Sequence, residues 1–598
     1  MHDLMHDLAQ NVAGVTCKFA KSAESNFNDK ILHLSFAYQC TFMPEIPKGM
    51  LNLKRLRTFL LPEQIYDGST FSKSICKQIT TRFSCLRVLD LHNLHLKSLP
   101  SSIGKLIHLR FLNLSHTDIE ELPDSITNLH NLQTLNLYEC LLLRTPPKDI
   151  RKLTNLRNLN VASCYNLTYM PSGLAGLTLL NRLPMFIVNY EYLAHLRYKP
   201  NSTTKLSDLK ELNNLRGDLY IKIHRDFEKN MLEEAMEANL SNKQWLTELR
   251  ITFNFDYIAD NICNYHDEDV LEGLKPHSNL RKLWIERYKG QKLPRWARGD
   301  LCITLPSLVE IILKNCNCQQ VPIFSQLRFL KRLEIMCMDN VEYIENNGVC
   351  DTSYLSSKSQ GMQTLFFPSL EVLRLTEMKK LKGWWKVEEI ESTNDSESTL
   401  SSELVGTCQQ YGHHQLSMQT IFFPSLEELR LKAMKKLKGW WKGVEAIENT
   451  TDSESTLSSK LVGTGQQYDH HQLSMQFCNL SKLHIFNCPE LKFLPLCPKV
   501  EVLRLIGTNE RLSVLKMATS LSTTTASTSS GSGRADLKLK KLTMDNVEDQ
   551  LMSLPKQYLQ HLSSLIVACD RKLVNTESLG EAFQTLIFFS PIFGIRVL

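Results

Sequence analysis

Leu86-Arg-Val-Leu89-Asp-Leu91, Leu109-Arg-Phe-Leu112-Asn-Leu114, Leu132-Gln-Thr-Leu135-Asn-Leu137 and Leu156-Arg-Asn-Leu159-Asn-Val161 spell L-x-x-L-x-L four times, at intervals of 23, 23 and 24 residues. In L-x-L both leucines fall on one face of a short strand and the residue between them on the other. One such strand cannot bury its apolar face alone, whereas stacked copies can, each adding about 4.8 Å of parallel sheet.

A period of this length carrying this pattern is the signature of leucine-rich repeats. The pattern returns at Leu246, Leu280, Leu308, Leu330, Leu370, Leu426, Leu480, Val500, Leu539 and Leu562. Two degenerate coils precede it, at Ile31–Leu34 and Leu56–Leu60. The expected fold is an α/β solenoid: a leucine-rich-repeat horseshoe with a parallel concave β-sheet, and irregular loops and short helices on the convex side. The residue eight after each first leucine is Leu94, Thr117, Cys140 and Cys164, and later Cys316 and Cys488. There a small donor satisfies turn carbonyls that would otherwise be buried unpaired. Leu99-Pro100 and Leu122-Pro123 close the convex stretches.

The rhythm breaks at 200–245, where Leu219, Ile221 and Ile223 read as a strand and Phe227 to Trp245 as an amphipathic helix carrying Met231, Leu232, Ala235, Met236, Asn239 and Leu240 at helical spacing. Residues 362–417 and 418–474 are near-copies: Met362-Gln-Thr-Leu-Phe-Phe-Pro-Ser-Leu-Glu recurs from Met418, and Lys382-Gly-Trp-Trp-Lys from Lys438. Each copy holds one coil and an acidic, Ser/Thr-rich loop. One tryptophan of each pair, Trp384-Trp385 and Trp440-Trp441, is expected to fill the core behind Leu381 or Leu437. The organisation reads as a short leading segment at 1–28, N-terminal repeats at 29–199 and helix-containing middle repeats at 200–345. Duplicated units follow at 346–475, then C-terminal repeats at 476–598 with a flexible insertion at 518–534.

A net charge of +6 over 598 residues does not call for nucleic acid. The 17 cysteines, odd in number and without paired C-x-x-C spacing, read as reduced and structural. The paired histidines His413-His414 and His470-His471 lack a third ligand, so no metal and no cofactor are expected. The first fifteen residues carry no secretory pattern, and the apolar last dozen are interrupted by Pro591 and Arg596; no membrane span is expected. The expected compartment is the cytoplasm, with the nucleus second. G-x-x-x-x-G-K-[ST], G-x-S-x-G and H-E-x-x-H are all missing from the sequence, so no catalytic residue is assigned.

A solenoid offers a long surface, and the residues between strand leucines point outward on its concave side. The central row runs Asp90, Asn113, Asn136, Asn160, then Trp284, Ile312, Glu334, Arg374, Arg430, His484 and Arg504. The first stretch is amide-lined and the last basic. Trp284, Glu334, Arg374, Arg430, Lys432, Lys482, His484, Phe486 and Arg504 form the candidate binding face, because arginines beside aromatics are favoured in protein interfaces.

Met1-His2-Asp3-Leu4-Met5-His6-Asp7-Leu8-Ala9 resembles the M-H-D-L-x-H-D-L-A motif ending the nucleotide-binding module of plant intracellular immune receptors, the coiled-coil, nucleotide-binding, leucine-rich-repeat disease resistance proteins. Ile31-Leu32-His33-Leu34-Ser35 and Leu56–Leu60 look like that family's lead into its repeats. Leu215–Ile221, followed by Glu234-Ala235 and Leu240-x-x-Lys243, resembles its mid-array helical unit. The resemblance implies that residues 1–28 are the remnant of the winged-helix end of a nucleotide-binding module, and that Met1, His2 and Asp3 are the remnant of its nucleotide sensor. It further implies a protein ligand, either a pathogen effector or a guarded host protein, and as second partner the nucleotide-binding half of an immune receptor. With no phosphate loop in this sequence, the chain is expected to bind but not to signal. The alternatives are a repeat adaptor such as a ubiquitin-ligase substrate receptor, and a truncated, non-signalling receptor product.

Overall fold

The computed structural model describes residues 12–20, 26–36, 45–61, 73–188 (without 148, 168 and 172), 204–224, 231–254, 266–345 (without 300), 365–385, 421–439, 477–491, 497, 499–509, 539–544, 562–568 and 595–597. They fall into two compact units, Met1–Tyr288 and Lys289–Leu598.

In the first unit, seven strands pair in chain order: β1 (Cys17–Ala20), β2 (His33–Phe36), β3 (Thr58–Leu60), β4 (Val88–Asp90), β5 (Phe111–Asn113), β6 (Thr134–Asn136) and β7 (Asn158–Asn160). All are parallel. The sheet thus begins at Cys17, ahead of the first coil legible in the sequence. Register stacks Leu89, Leu112, Leu135 and Leu159, and all four are buried. The regular strands are only three residues long because each coil turns away at once. The residue four after each stacked leucine, Asn93, His116, Glu139 or Ser163, has a left-handed backbone with φ between 54° and 61°. On the return path Pro100 and Pro123 lead into 3-10 turns at Ser101–Lys105 and Asp124–Asn128. Proline's fixed φ suits that entry and costs no needed N–H. Ile103 with Leu106, and Ile126 with Leu129, then close the core from that side.

The small-donor position works as a ladder. Thr117 donates its hydroxyl to the Leu114 carbonyl at 2.7 Å. The Cys140 thiol reaches back one coil to the same oxygen at 3.1 Å, and Cys164 reaches the Leu137 carbonyl at 3.0 Å. Burial pushes the Cys164 thiol up to about 12 and raises Cys140, so both are protonated donors. Leu94 breaks the pattern: it is buried and brings no donor.

Four further parallel strands complete this unit: β8 (Met185–Val188), β9 (Arg216–His224), β10 (Trp245–Asn254) and β11 (Lys282–Glu286). β8 was not foreseen. All four of its residues are buried, so it shows no alternation, and a short apolar run carries no period to read. The helices are α1 (Lys73–Arg82), α2 (Met231–Glu237) and α3 (His266–Gly273). The helix expected over Phe227–Trp245 is shorter. Asn239 takes a left-handed backbone, Leu240–Asn242 form a 3-10 turn and Trp245 already opens β10. Met231 and Ala235 are buried, but Leu232 and Met236 are exposed. A β-carbon on Gly273 would lie 2.5 Å from that of Ala235, so α3 needs glycine where it crosses α2.

In the second unit α4 (Arg295–Arg298) and α5 (Leu301–Thr304) precede β12 (Glu310–Lys314) and β13 (Arg332–Met336). Next come β14 (Tyr343–Glu345), β15 (Leu365–Phe366), β16 (Val372–Thr376), β17 (Gly383–Trp385), β18 (Ile421–Phe422) and β19 (Glu428–Lys432). The last strands are β20 (Lys482–Cys488), β21 (Val502–Thr508), β22 (Lys541–Met544), β23 (Ser564–Ala568) and β24 (Ile595–Val597). The sheet runs β12-β13-β16-β19-β20-β21-β22-β23 in parallel, and β24 lies antiparallel on β23. On the return side β14 pairs with β17 and β15 with β18.

The duplicated segments stack copy on copy. Phe367 and Phe423 lie face to face at 4.7 Å, and Trp384, 2% exposed, sets its ring edge-on to both at 5.6 and 5.4 Å. Trp384 therefore fills the core as expected of that pair, while Trp440 and Trp441 lie outside the described residues.

Candidate functional site

The outward row divides into three stretches of different chemistry. In β4 to β7, Asp90, Asn113, Asn136 and Asn160 each accept the backbone N–H two residues on, at 3.1 to 3.2 Å. Such Asx turns bend the chain out of the strand. The Asn113 oxygen also accepts from the Ser115 hydroxyl at 2.9 Å and the Asn136 amide at 2.9 Å. The amide lining expected there is spent on the coil's own turns.

Around Trp284 the register places Tyr220, Arg250 and Trp284 side by side on β9, β10 and β11. The Arg250 guanidinium lies 3.7 Å from the Trp284 ring centre and 4.6 Å from that of Tyr220. It also donates to Glu286, 5% exposed, at 2.8 Å. Trp284 is thus part of a cation–π stack in the first unit. Arg250, its centre, was missed in the sequence; it occupies the same outward slot, between Leu249 and Ile251.

The remaining candidates lie in the second unit. Ile312, Glu334, Arg374, Arg430, His484 and Arg504 occupy matching positions on β12, β13, β16, β19, β20 and β21. Its first half is charge-balanced. Arg332 approaches Glu310 at 3.6 Å and Glu334 at 3.3 Å. Arg374, 29% exposed, bridges Glu334 and Glu428, each at 3.0 Å. Burial opposes ionisation of Glu428, but hydrogen bonding and charge from Arg374, with Arg430 and His484 nearby, hold its carboxyl below its ordinary value. Arg332, Glu310 and Glu428 had not been singled out; the signal was their place one residue before the second leucine of a strand.

Past Glu428 the balance ends. Arg430 keeps one distant contact to Glu428 at 3.9 Å, and among the described residues Lys432, Lys482 and Arg504 have no carboxylate partner. The outward positions of β20 to β22 are Lys482, His484, Phe486, Val502, Arg504, Ile506, Lys541 and Thr543, with no acid among them. His484 is 6% exposed, and its ring lies nearly parallel to Phe486, 6.3 Å between centres. Burial, then the Arg504 and Arg430 charges, press its pKa down to about 4, leaving it neutral at pH 7. Its Nδ1 and the Arg430 Nε are buried without a hydrogen-bond partner. The structure therefore gathers Arg430, Lys432, Lys482, His484, Phe486 and Arg504 on neighbouring strands, with Glu334 and Arg374 in the adjoining ion-pair chain. Met1, His2 and Asp3 lie outside the described residues. Among the described residues no cluster of three metal-binding side chains occurs, and no helix is long and apolar enough to cross a membrane.

The chain is similar to known families and proteins. Residues 206–338 match the model of R13L1/DRL21 leucine-rich repeats, and 108–129 and 131–153 match the general leucine-rich repeat. The disease resistance protein RGA2 of Solanum bulbocastanum is 36% identical over 390 residues, 65% of this chain and 35% of that protein. RGA1 of the same species is 33% identical over 392 residues, again 65% of this chain and 33% of the relative. An RPP13-like disease resistance protein of Arabidopsis thaliana is 31% identical over 191 residues, 31% of this chain and 17% of its own length. The chain spans about a third of the length of the two Solanum proteins it matches. Among solved structures, a leucine-rich-repeat protein of Leptospira interrogans aligns with a TM-score of 0.34 at 19% identity, covering 54% of this chain and 77% of that one. By its repeats, its parallel sheets and its relatives, the chain is a leucine-rich-repeat solenoid related to plant disease resistance proteins of the RGA and RPP13-like type.

Proposed function

We propose that the chain is the non-catalytic protein-recognition part of a plant disease resistance system. In this reading it senses a pathogen effector, or a host protein that an effector has modified, and regulates an associated nucleotide-binding switch. The outward strand face of the second unit carries the recognition, with Trp284 and its stack as a separate contact in the first unit. One observation supports this most directly: beside the aromatic Phe486, Lys432, Lys482 and Arg504 have no carboxylate partner among the described residues, and Arg430 keeps only a 3.9 Å contact to Glu428. Charges serving only the fold are expected to pair with neighbours, as Arg374 does. Met1, His2 and Asp3 would face the nucleotide of that switch, in the cytoplasm.

The test is co-expression of the chain with a separately encoded nucleotide-binding half and a panel of effectors in leaf tissue. Association with that half, and an effector-dependent defence response lost in Arg430→Glu/Arg504→Glu, are the expected results. Association with neither the half nor any effector would sink the reading.

A further inference from the structure

We propose that the outward face of β19, β20 and β21 is a docking site for an acidic protein segment, whose Asp and Glu carboxylates lie across Arg430, Lys432, Lys482 and Arg504 with one of them beside His484. This rests on the recognition role proposed above and names the chemistry of the ligand.

Charge complementarity sets the occupant. Neighbouring strands lie about 4.8 Å apart, and outward side chains along one strand about 7 Å apart. The four cations therefore form a small grid across three strands, and the register fixes it: Arg430 opposite His484, His484 opposite Arg504, Lys432 opposite Phe486. An extended acidic peptide presents carboxylates on one side at the same spacing of about 7 Å. The second indication is independent of charge counting. His484 is more than nine-tenths buried, its Nδ1 has no partner, and the Arg430 Nε is also buried and unpartnered. Buried donors and acceptors left unmade are costly, so a face that keeps two of them gains when an acceptor arrives.

Binding is then coupled to a proton. The charges facing His484 are Arg430 and Glu428 from β19, Arg504 from β21 and Lys482 on its own strand. Three of these four are cations, so the free imidazole stays neutral at pH 7. Carboxylates seated across these cations offset the local field, so the ring returns towards its ordinary pKa and takes up a proton from solvent as pH falls below about 7. Affinity consequently rises as pH falls from about 7 towards the point where Asp side chains themselves protonate, near pH 4.

The probe is a fluorescein-labelled aspartate octapeptide, titrated into the full chain and read by fluorescence anisotropy at low salt. A lysine octapeptide and an RNA oligonucleotide of matching length are run in parallel. We expect aspartate binding that tightens by up to about tenfold between pH 7 and pH 5.5, as a bound histidine near its ordinary pKa requires. It should weaken steeply with added salt. Arg430→Gln/Arg504→Gln should lose about tenfold or more in affinity. His484→Gln should keep binding but lose the pH dependence. Should that buried substitution disturb folding, calorimetric titration of the unmodified chain in buffers of different ionisation enthalpy reads the proton uptake directly. No aspartate binding, equal lysine binding, tighter RNA binding, or binding without proton uptake would each overturn the proposal. If the aspartate peptide fails while Arg430→Glu/Arg504→Glu still abolishes the effector response, the acidic chemistry is wrong and the recognition role stands.

Discussion

The coils from Leu86 to Val161 and those from Leu370 to Leu505 follow one pattern, yet spend their outward side chains differently. In the first set each Asp or Asn bends its own coil by accepting an N–H two residues away, and Asn136 adds one bond to Asn113 in the coil before it. In the second set the outward residues reach across coils. Arg374 holds a glutamate 40 residues before it and another 54 residues after it, and beyond Arg430 the described cations Lys432, Lys482 and Arg504 have no acid partner. A residue bonded within its own turn is fixed wherever the turn forms. One that depends on neighbouring coils is open to change, and a partner molecule can replace the neighbour. On the proposed reading, the regular coils are scaffold and the charged coils offer the face.

The contrast breaks most readily at its shared base, the stacked leucines. Leu135 is fully buried, and Leu135→Ala should cost about 3 kcal/mol through lost transfer energy and the cavity left behind. Because coils touch only their neighbours, hydrogen exchange should speed up in β5, β6 and β7 and remain unchanged beyond β11. Uniform loosening of the whole chain would refute the nearest-neighbour picture.

Lys243 probes the first unit beyond its regular coils. It takes the place that Leu106, Leu129 and Leu153 hold after the 3-10 turns of the regular coils. There it is fully buried, donating to the Leu209 carbonyl at 2.8 Å, and burial brings its pKa down to about 8. Between about pH 8 and the unfolded value of 10.5 the unfolded chain holds more protons, so stability rises with pH through that window. Relative to Lys243→Leu, the natural chain should gain about 2 kcal/mol from pH 8 to pH 10.5 in chemical denaturation. A constant difference would show that the amine does not titrate there.

Asn113→Ala removes an acceptor of three hydrogen bonds and should cost about 1 kcal/mol. It should also speed exchange of the Ser115 amide. Arg504→Ala is the smallest: stability at pH 7 should stay within about 0.5 kcal/mol, since no described carboxylate pairs with that charge. A larger loss in thermal unfolding would make Arg504 structural and erase the contrast.

Much of the fold was legible because a strand leucine needs only its neighbours at i+3 and i+5 to declare itself, and every expected coil from Leu86 to Leu562 carries a strand. What stayed hidden had no period. Met185–Val188 is buried on both faces, and β14, β15, β17 and β18 pair over segments too short to show alternation. The candidate face was half legible. Trp284 and the basic residues stood in their expected slots, but Arg250 between its two aromatic rings and the clasp of Glu334, Arg374 and Glu428 did not show.

The sequence by itself determined the solenoid, the coil positions and the side of each strand from which every residue projects, since these follow from the alternation of side chains along a strand. Only the tertiary structure decided which outward residues are free. Whether an arginine meets a glutamate depends on the register of coils 40 or 54 residues apart, and insertions of unequal length between coils put that register beyond any local pattern.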